Sequence, residues 1–249
     1  MQGRRTVELS VFPLISLIRK EKLGEPHPLF AGGERYVSPR FTAEAERVVR
    51  EELAGHGLGD RSALADFVEK LALVQQAGTE YYGWMTNGEQ KYATLVAGSG
   101  RRAVAVMRAG NLVTFEPVDS EELINEFVYR LPDVRAGDGD VIAVRTADIG
   151  ARQSGAIMRR SQPTRPDGAR RLEALLHEPR LGGAKLYAAN RDQEGNRRRS
   201  REWLTLLDLI SGRWLVHPTL GRGERTIHAV PGTAPAIAAK LAELQRSAR

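Results

Sequence analysis

The sequence contains few residues whose types and spacing are those of a catalytic or metal site. Its five histidines are spread along the chain, and the two nearest in sequence are His217 and His228. The HExxH motif of metalloproteases, in which two histidines four residues apart bind zinc, is therefore missing. The chain also lacks cysteine, which excludes disulfide scaffolds, iron–sulfur clusters, cysteine-ligated zinc and thiol catalysis.

Phosphate and nucleophile motifs are missing as well. The sequence has neither a GxxxxGK[ST] phosphate loop nor a GxSxG nucleophile elbow. The triplet Gly221-Arg222-Gly223 does not continue as a dinucleotide fingerprint, and a β-rich run follows it instead of a helix. We therefore expect a protein that is not an enzyme and that uses no cofactor and no metal.

The densest cationic feature is the run Arg197-Arg198-Arg199-Ser200-Arg201, which leads into Trp203. Guanidinium groups beside an aromatic side chain can bind an anion or a nucleic acid. Repeated charge is equally typical of an edge strand, where it discourages aggregation. Because no RRM, KH, zinc-finger or helix-turn-helix pattern surrounds the run, the edge-strand interpretation is favoured. Nucleic-acid binding by the basic second half is kept as the alternative function.

The net charge of +6 comes from one half of the chain. Residues 1–140 hold 17 basic and 21 acidic residues, whereas residues 141–249 hold 20 basic and 10 acidic residues. Such a polarised body is suited to orienting a single partner, and the basic half indicates an acidic one.

The elements that position these side chains alternate between helical and β-rich patterns. In the first half, residues 6–10 alternate as in a strand, and helical patterns follow up to Gly78. Four β-rich runs come next, separated by Asn87-Gly88, Gly98-Ser99-Gly100 and Gly110-Asn111, which are hairpin signals. They cover residues 80–86, 91–96, 102–108 and 112–118. A helix with Leu123 and Phe127 on its buried face ends this half.

The second half follows the same plan. Its strand patterns cover residues 140–146, 185–191, 203–208, 213–217 and 225–230, with one helix after Asp167 and a last one after Thr233. We therefore predict an α+β fold with a quasi-twofold repeat. Each half has a strand, helices, an antiparallel meander and a helix, and the two sheets are in contact with helices outside. The predicted halves are residues 1–136 and 137–249, fused into one body.

A set of segments in the second half resembles a known family. They are residues 182–187 (GGAKLY), 190–197 (NRDQEGNR), 206–208 (LLD), 211–218 (SGRWLVHP) and 231–238 (PGTAPAIA). Residues 102–106 (RAVAV) and 111–115 (NLVTF) belong to the matching set in the first half. This ordered set, spread over nearly the whole chain, resembles the EspG family, the chaperones associated with ESX (type VII) secretion in actinobacteria.

The resemblance implies a cytoplasmic, non-enzymatic chaperone with a quasi-twofold fold. Family members bind the exposed tip of a helical PE–PPE heterodimer and keep it soluble until the secretion machinery takes it, without membrane insertion. The client expected here is a PE–PPE-like pair or another small helical secretion substrate. The family's contact surface involves the central sheet and the C-terminal helical part. We therefore nominate a partner-binding set in the second-half meander, namely Arg199, Trp203, Leu204, Leu206, Trp214 and Val216. Strand alternation prevents all six from facing the same way.

Overall fold

A computed structural model of the chain describes residues 6–33, 38–149, 167–221 and 223–248. Within these ranges lie eleven strands: β1 (Val7–Ser10), β2 (Thr79–Asn87), β3 (Gln90–Ser99), β4 (Arg102–Ala109), β5 (Leu112–Pro117), β6 (Ile142–Arg145), β7 (Arg180–Arg191), β8 (Arg197–Arg199), β9 (Leu204–Leu209), β10 (Gly212–Gly221) and β11 (Glu224–Pro231). They form one antiparallel sheet in the order β1-β5-β4-β3-β2-β7-β9-β10-β11-β6, and β8 pairs beside β7.

The same ranges hold seven α-helices: α1 (Val11–Lys20), α2 (Thr42–Gly55), α3 (Arg61–Gln75), α4 (Leu123–Tyr129), α5 (Thr146–Ile149), α6 (Asp167–His177) and α7 (Ala234–Ser247). Two short 3-10 helices cover Pro28–Phe30 and Pro39–Phe41. The predicted α+β class is confirmed.

Helices cover both faces of the sheet. The front face, defined here as the face that carries Tyr82, packs against α1, α2 and α3 at one end and against α6 at the other. The back face, which carries Tyr81, packs against α4 and α7. Because successive strand residues point to opposite faces, each strand contributes to both packing layers.

Glycine turns set the register of the first meander. Gly88 joins β2 to β3 and Gly110 joins β4 to β5, and both have a φ of 59°. A residue without a Cβ adopts this left-handed conformation without strain. The hairpins predicted at these turns are present.

Strand β7 is longer than the predicted strand 185–191, because Gly182 and Gly183 lie inside it. A Cβ at Gly182 would be 2.4 Å from the carbonyl oxygen of Thr86, and a Cβ at Gly183 would be 2.5 Å from that of Leu206. The two glycines therefore allow the backbones of neighbouring strands to approach closely instead of ending the strand.

Strands β2 and β7 join the two halves of the chain edge to edge. Nine residue pairs connect them, from Thr79–Asn190 to Asn87–Gly182. The two predicted sheets therefore form one continuous sheet. Outward from this seam, each side has its meander strands first and the first strand of its half at the edge. The quasi-twofold repeat and the halves 1–136 and 137–249 stay predictions.

The segment between the halves is fixed to β10. The backbone N–H of Arg213 donates to the carbonyl of Arg135, and the N–H of Gly137 donates to the carbonyl of Arg213, both at 2.7 Å. The Arg213 guanidinium donates two hydrogen bonds to the buried Asp208, at 2.6 and 2.9 Å. These contacts attach the connecting segment to the second-half meander.

A buried carboxylate links the halves at the seam. Glu80 on β2 accepts a hydrogen bond of 2.6 Å from Nε of Arg197 on β8, and its Oε1 lies 3.3 Å from Nε2 of His27. Burial alone would raise the pKa of Glu80, but the hydrogen bonds and charges of His27 and Arg197 outweigh burial and hold that pKa below its ordinary value. The Arg197 guanidinium also lies over the Tyr82 ring, 5.0 Å from its centroid.

Candidate functional site

A row of residues crosses the middle of the front face between the two groups of helices. Each member lies directly opposite the next on the neighbouring strand, from β4 through β3, β2, β7 and β9 to β10. We call this row the central strip, and its members are Arg108, Ala93, Trp84, Lys185, Thr205 and Val216.

All residues of the central strip except Val216 line the floor of a groove of about 840 Å³. Leu29 and Ala31, at the first 3-10 helix, line one side, and Leu181 at the start of β7 lines another part. The five strands that carry the strip residues of this floor lie about 4.8 Å apart and span about 19 Å. Two packed helices, each about 10 Å in diameter with axes about 9 Å apart, span about 20 Å. The floor of the groove is therefore about as wide as the end of a helix pair.

Trp84 is the large aromatic side chain at the centre of the strip. Its ring meets Tyr82 edge-on at 5.5 Å and Tyr187 edge-on at 5.7 Å, while those two tyrosines stack at 5.3 Å. Even so, Trp84 is 42% exposed, whereas Tyr82 is buried. A rigidly held, half-exposed tryptophan in the centre of a groove has the properties of an interface hot spot.

Arg108 forms one end of the strip and is fixed in place. Its Nη1 donates to the carbonyls of Leu29 and Ala31, both at 2.7 Å, and its Nε donates to Gly110 at 2.9 Å. Burial lowers the pKa of Arg108 from the ordinary arginine value. This side chain ties the first 3-10 helix to the sheet and fixes one wall of the groove.

The structure separates the six predicted partner-binding residues into two groups. Arg199 and Trp203 are exposed, and Val216 is half-buried at the end of the central strip. Leu204 and Leu206 are buried on the back face in the core that contains α7. Leu206 also borders the groove, but both leucines are almost fully buried, and a partner could contact their side chains only if α7 moved away.

Trp214 is also unavailable to a partner, although it lies on the front face. It is buried in the core under α6, and its Nε1 would be 2.3 Å from a Cβ at Gly137. The sequence could not distinguish it from Trp84, because both lie in meander strands and only the placement of α6 covers one of them.

The arginine run lies in and after β8, as the edge-strand interpretation predicts. Arg197 pairs with Glu80, and Arg198 donates to Asp192 at 2.8 Å. The guanidinium of Arg199 lies over the Tyr187 ring, 5.2 Å from its centroid. Two of the four arginines are thus neutralised within the protein.

The partner-binding set omits Trp84, Lys185, Thr205 and Arg108. Period-two alternation places Tyr82 and Trp84 on one face, which is a signal that was present in the sequence. The β2–β7 pairing that brings Lys185 opposite Trp84 joins residues about a hundred positions apart, and the sequence has no local pattern for it.

Among the described residues, no group of three or more His, Asp or Glu side chains could hold a metal ion. A search of the same residues finds no helix with the length and hydropathy needed to cross a membrane.

His217 and His228 stack on each other across β10 and β11, with their ring centroids 5.2 Å apart. Burial is the main cause that lowers the pKa of His217, and the charge of Lys240 is the second.

Comparisons with known proteins give one family and one related fold. The model of the EspG family matches residues 14–243. The structure is similar to the Mycobacterium tuberculosis type VII secretion system chaperone EspG5, solved in complex with the PE25–PPE41 dimer, with a TM-score of 0.68 and 14% identity over 98% of this chain and 97% of that one. No curated protein sequence matches the chain.

Proposed function

The chain belongs to the EspG family, and we propose that it is a cytoplasmic chaperone of type VII secretion. Its client is a PE–PPE-like pair or another small helical secretion substrate. The chaperone binds the tip of this client in the groove over the central strip and keeps it soluble until the secretion machinery takes it. The observation that carries the proposal is the groove itself, a stretch of sheet between two groups of helices with Trp84 at its centre.

The dimensions of the groove support a helical client. A helix pair of about 20 Å matches a groove floor of about 19 Å in width. The exposed end of such a pair carries apolar side chains that would otherwise favour aggregation, and burying them against Trp84 removes that surface from water. The similar EspG5 was solved with a PE25–PPE41 dimer, which supports this class of client.

Binding without catalysis fits the ionisable groups around the groove. Within the part of the chain that the structure describes, the charged residues that line it are lysines and arginines. General acid–base catalysis needs a group that accepts a proton and a group that donates one near the working pH. Lysine and arginine side chains alone do not provide such a pair. Reversible burial of a client surface needs only shape and charge, so release to the secretion machinery requires no covalent step.

Nucleic-acid binding is the second candidate, and the exposed aromatic side chains favour it. Trp84 and Trp203 are 42% and 39% exposed, and Lys185 and Arg199 lie beside aromatic rings. Exposed aromatic rings among cations also bind single-stranded nucleic acid by base stacking. A binding experiment with both kinds of partner distinguishes the two functions.

The test is co-expression with the small helical secretion substrates encoded beside this chain, followed by purification at about 150 mM salt. We expect a retained 1:1 or 1:1:1 complex. Trp84→Ala removes the central anchor and should weaken the complex by about 30-fold, corresponding to a hot-spot loss of about 2 kcal/mol. The matched control is Tyr129→Ala on α4, because Tyr129 is 85% exposed and lies outside the groove over the central strip.

Both variants are first checked for folding by circular dichroism and thermal unfolding. If the folded wild-type protein retains no substrate, the chaperone proposal is wrong. If Trp84→Ala and Tyr129→Ala bind equally well, the groove is not the site. If only a 20-nucleotide thymidine oligomer binds, and does so less tightly as salt increases, the protein binds nucleic acid.

A further inference from the structure

The groove over the central strip carries charge of one sign. Its lining residues in the described part of the chain include four cations and no carboxylate, and the cations are Lys91, Arg108, Arg180 and Lys185. Apolar residues such as Trp84 and Leu29 lie between them. An occupant therefore meets an apolar floor with positive charge around it.

None of these four cations has an acidic partner among the described residues. Arg108 uses its guanidinium on backbone carbonyls, as described above, while Lys91, Arg180 and Lys185 make no ion pair there. Lys185 only lies over the Trp203 ring, 5.8 Å from its centroid.

Several cations outside the groove pair with carboxylates, namely Arg197 with Glu80, Arg213 with Asp208 and Arg198 with Asp192. Others there, such as Arg101, make no ion pair among the described residues. The groove differs in that its described lining holds four cations and no carboxylate to balance them.

The register places two of these cations next to Trp84. Lys185 lies directly opposite Trp84 on β7. Lys91 lies opposite Thr86, which is the next residue after Trp84 on the same face of β2. Neighbouring side chains on one sheet face are about 5 to 8 Å apart. A client side chain that contacts Trp84 therefore has ammonium groups within one helical turn on two sides.

Covering unpaired ammonium groups with an apolar surface is costly, because each loses water without gaining a partner. Carboxylates at the same positions replace that water and form charge-assisted hydrogen bonds. Resting on the proposed function, we propose that the client tip is acidic. It carries an apolar side chain for Trp84, flanked within one helical turn by Asp or Glu residues that pair with Lys185 and Lys91.

The experiment uses the client that co-purifies with the wild-type protein, measured by titration calorimetry. Lys185→Glu should weaken binding by at least tenfold, and Lys185→Gln should have a smaller effect of the same sign. The matched control is Arg101→Glu, which makes the same charge change in the exposed turn between β3 and β4, outside the groove. It should change the affinity by less than about twofold, because charges beyond a Debye length of about 8 Å are screened.

Charge exchange provides the decisive readout. Replacing the client's tip carboxylates by lysine should weaken binding to the wild-type protein and restore binding to Lys185→Glu. A client whose tip carries no Asp or Glu overturns the inference. Lys91→Glu combined with Lys185→Glu overturns it too if the double variant binds as tightly as Arg101→Glu.

Failure of the proposed function gives a different result, because the wild-type protein would then retain no client at all. The inference is also wrong if the lysine variants bind the helical client as the wild type does and lose affinity only for a 20-nucleotide thymidine oligomer. The cations would then serve nucleic-acid phosphates.

Discussion

Replacing Arg197 by methionine tests the buried link between the two halves. The change removes the guanidinium from Glu80, whose side chain is 2% exposed, and keeps a side chain of similar length over Tyr82. Removing one partner of a buried ion pair costs about 3 to 5 kcal/mol. Since the Arg197 side chain is 27% exposed and His27 stays beside Glu80, we expect a loss of about 3 kcal/mol.

The stability lost in Arg197→Met should depend on pH. In the wild-type protein the pKa of Glu80 is lowered, so its stabilising contribution is present above the unfolded value of about 4.3 and disappears as pH falls through the folded value. Arg197→Met removes one of the two groups that lower the pKa of Glu80 against its burial, so that pKa rises in the variant. The penalty is therefore present at neutral pH and decreases as the carboxyl group becomes protonated. The difference between the two proteins should therefore be largest near neutral pH and smaller at about pH 5.

Thermal unfolding measures the effect. For a chain of this size, a loss of about 3 kcal/mol lowers Tm by about 6 to 12 °C. The matched control is Arg198→Met, because the Arg198 side chain is 62% exposed and its ion pair with Asp192 lies at the surface. Its Tm should stay close to that of the wild type. Equal Tm values for Arg197→Met and Arg198→Met would refute the reasoning. So would a Tm difference between the wild type and Arg197→Met that grows as pH falls.

Two further predictions concern His217 and Gly137. Because the pKa of His217 is lowered in the folded protein, the unfolded chain binds that proton more readily. Tm should therefore fall as pH decreases from about 7.5 to about 5.5, and His217→Gln should make this dependence of Tm on pH weaker. If the variant shows the same dependence, other groups cause it. Gly137→Ala should destabilise by about 1 to 3 kcal/mol in urea unfolding, because its Cβ would lie 2.3 Å from Nε1 of Trp214. Gly55→Ala, with no heavy atom within 4 Å of the added Cβ, is the control and should leave the urea midpoint unchanged or slightly raised; equal midpoints would contradict the contact.

Local patterns predicted most of the elements. Asn87-Gly88 and Gly110-Asn111 determine the hairpins because positive φ is needed at the turn and glycine supplies it. Strands β3, β7 and β10 are longer than predicted, and at Gly182 and Gly183 the error arose because glycine has two uses. Glycine often ends a helix or strand, but inside a strand it also lets neighbouring backbones approach closely. Only the tertiary packing shows which of the two roles a given glycine has.

The site was harder to predict than the fold. The partner-binding set includes Leu204 and Leu206, which α7 covers, and Trp214, which α6 covers. Sequence alternation assigns residues to two faces but does not say which face receives a helix. Lys185 and Trp84 become neighbours through a pairing between the two halves, which no local spacing encodes.

The seam between β2 and β7 has a consequence for biosynthesis. The central strip takes Trp84 from the first half and Lys185, Thr205 and Val216 from the second, so it does not exist until the ribosome has released most of the chain. The back-face core then still needs α7, which ends at Ser247. A chain that stops before β9 and β10 therefore has no complete central strip, and one that stops before α7 lacks part of the core on which the sheet rests.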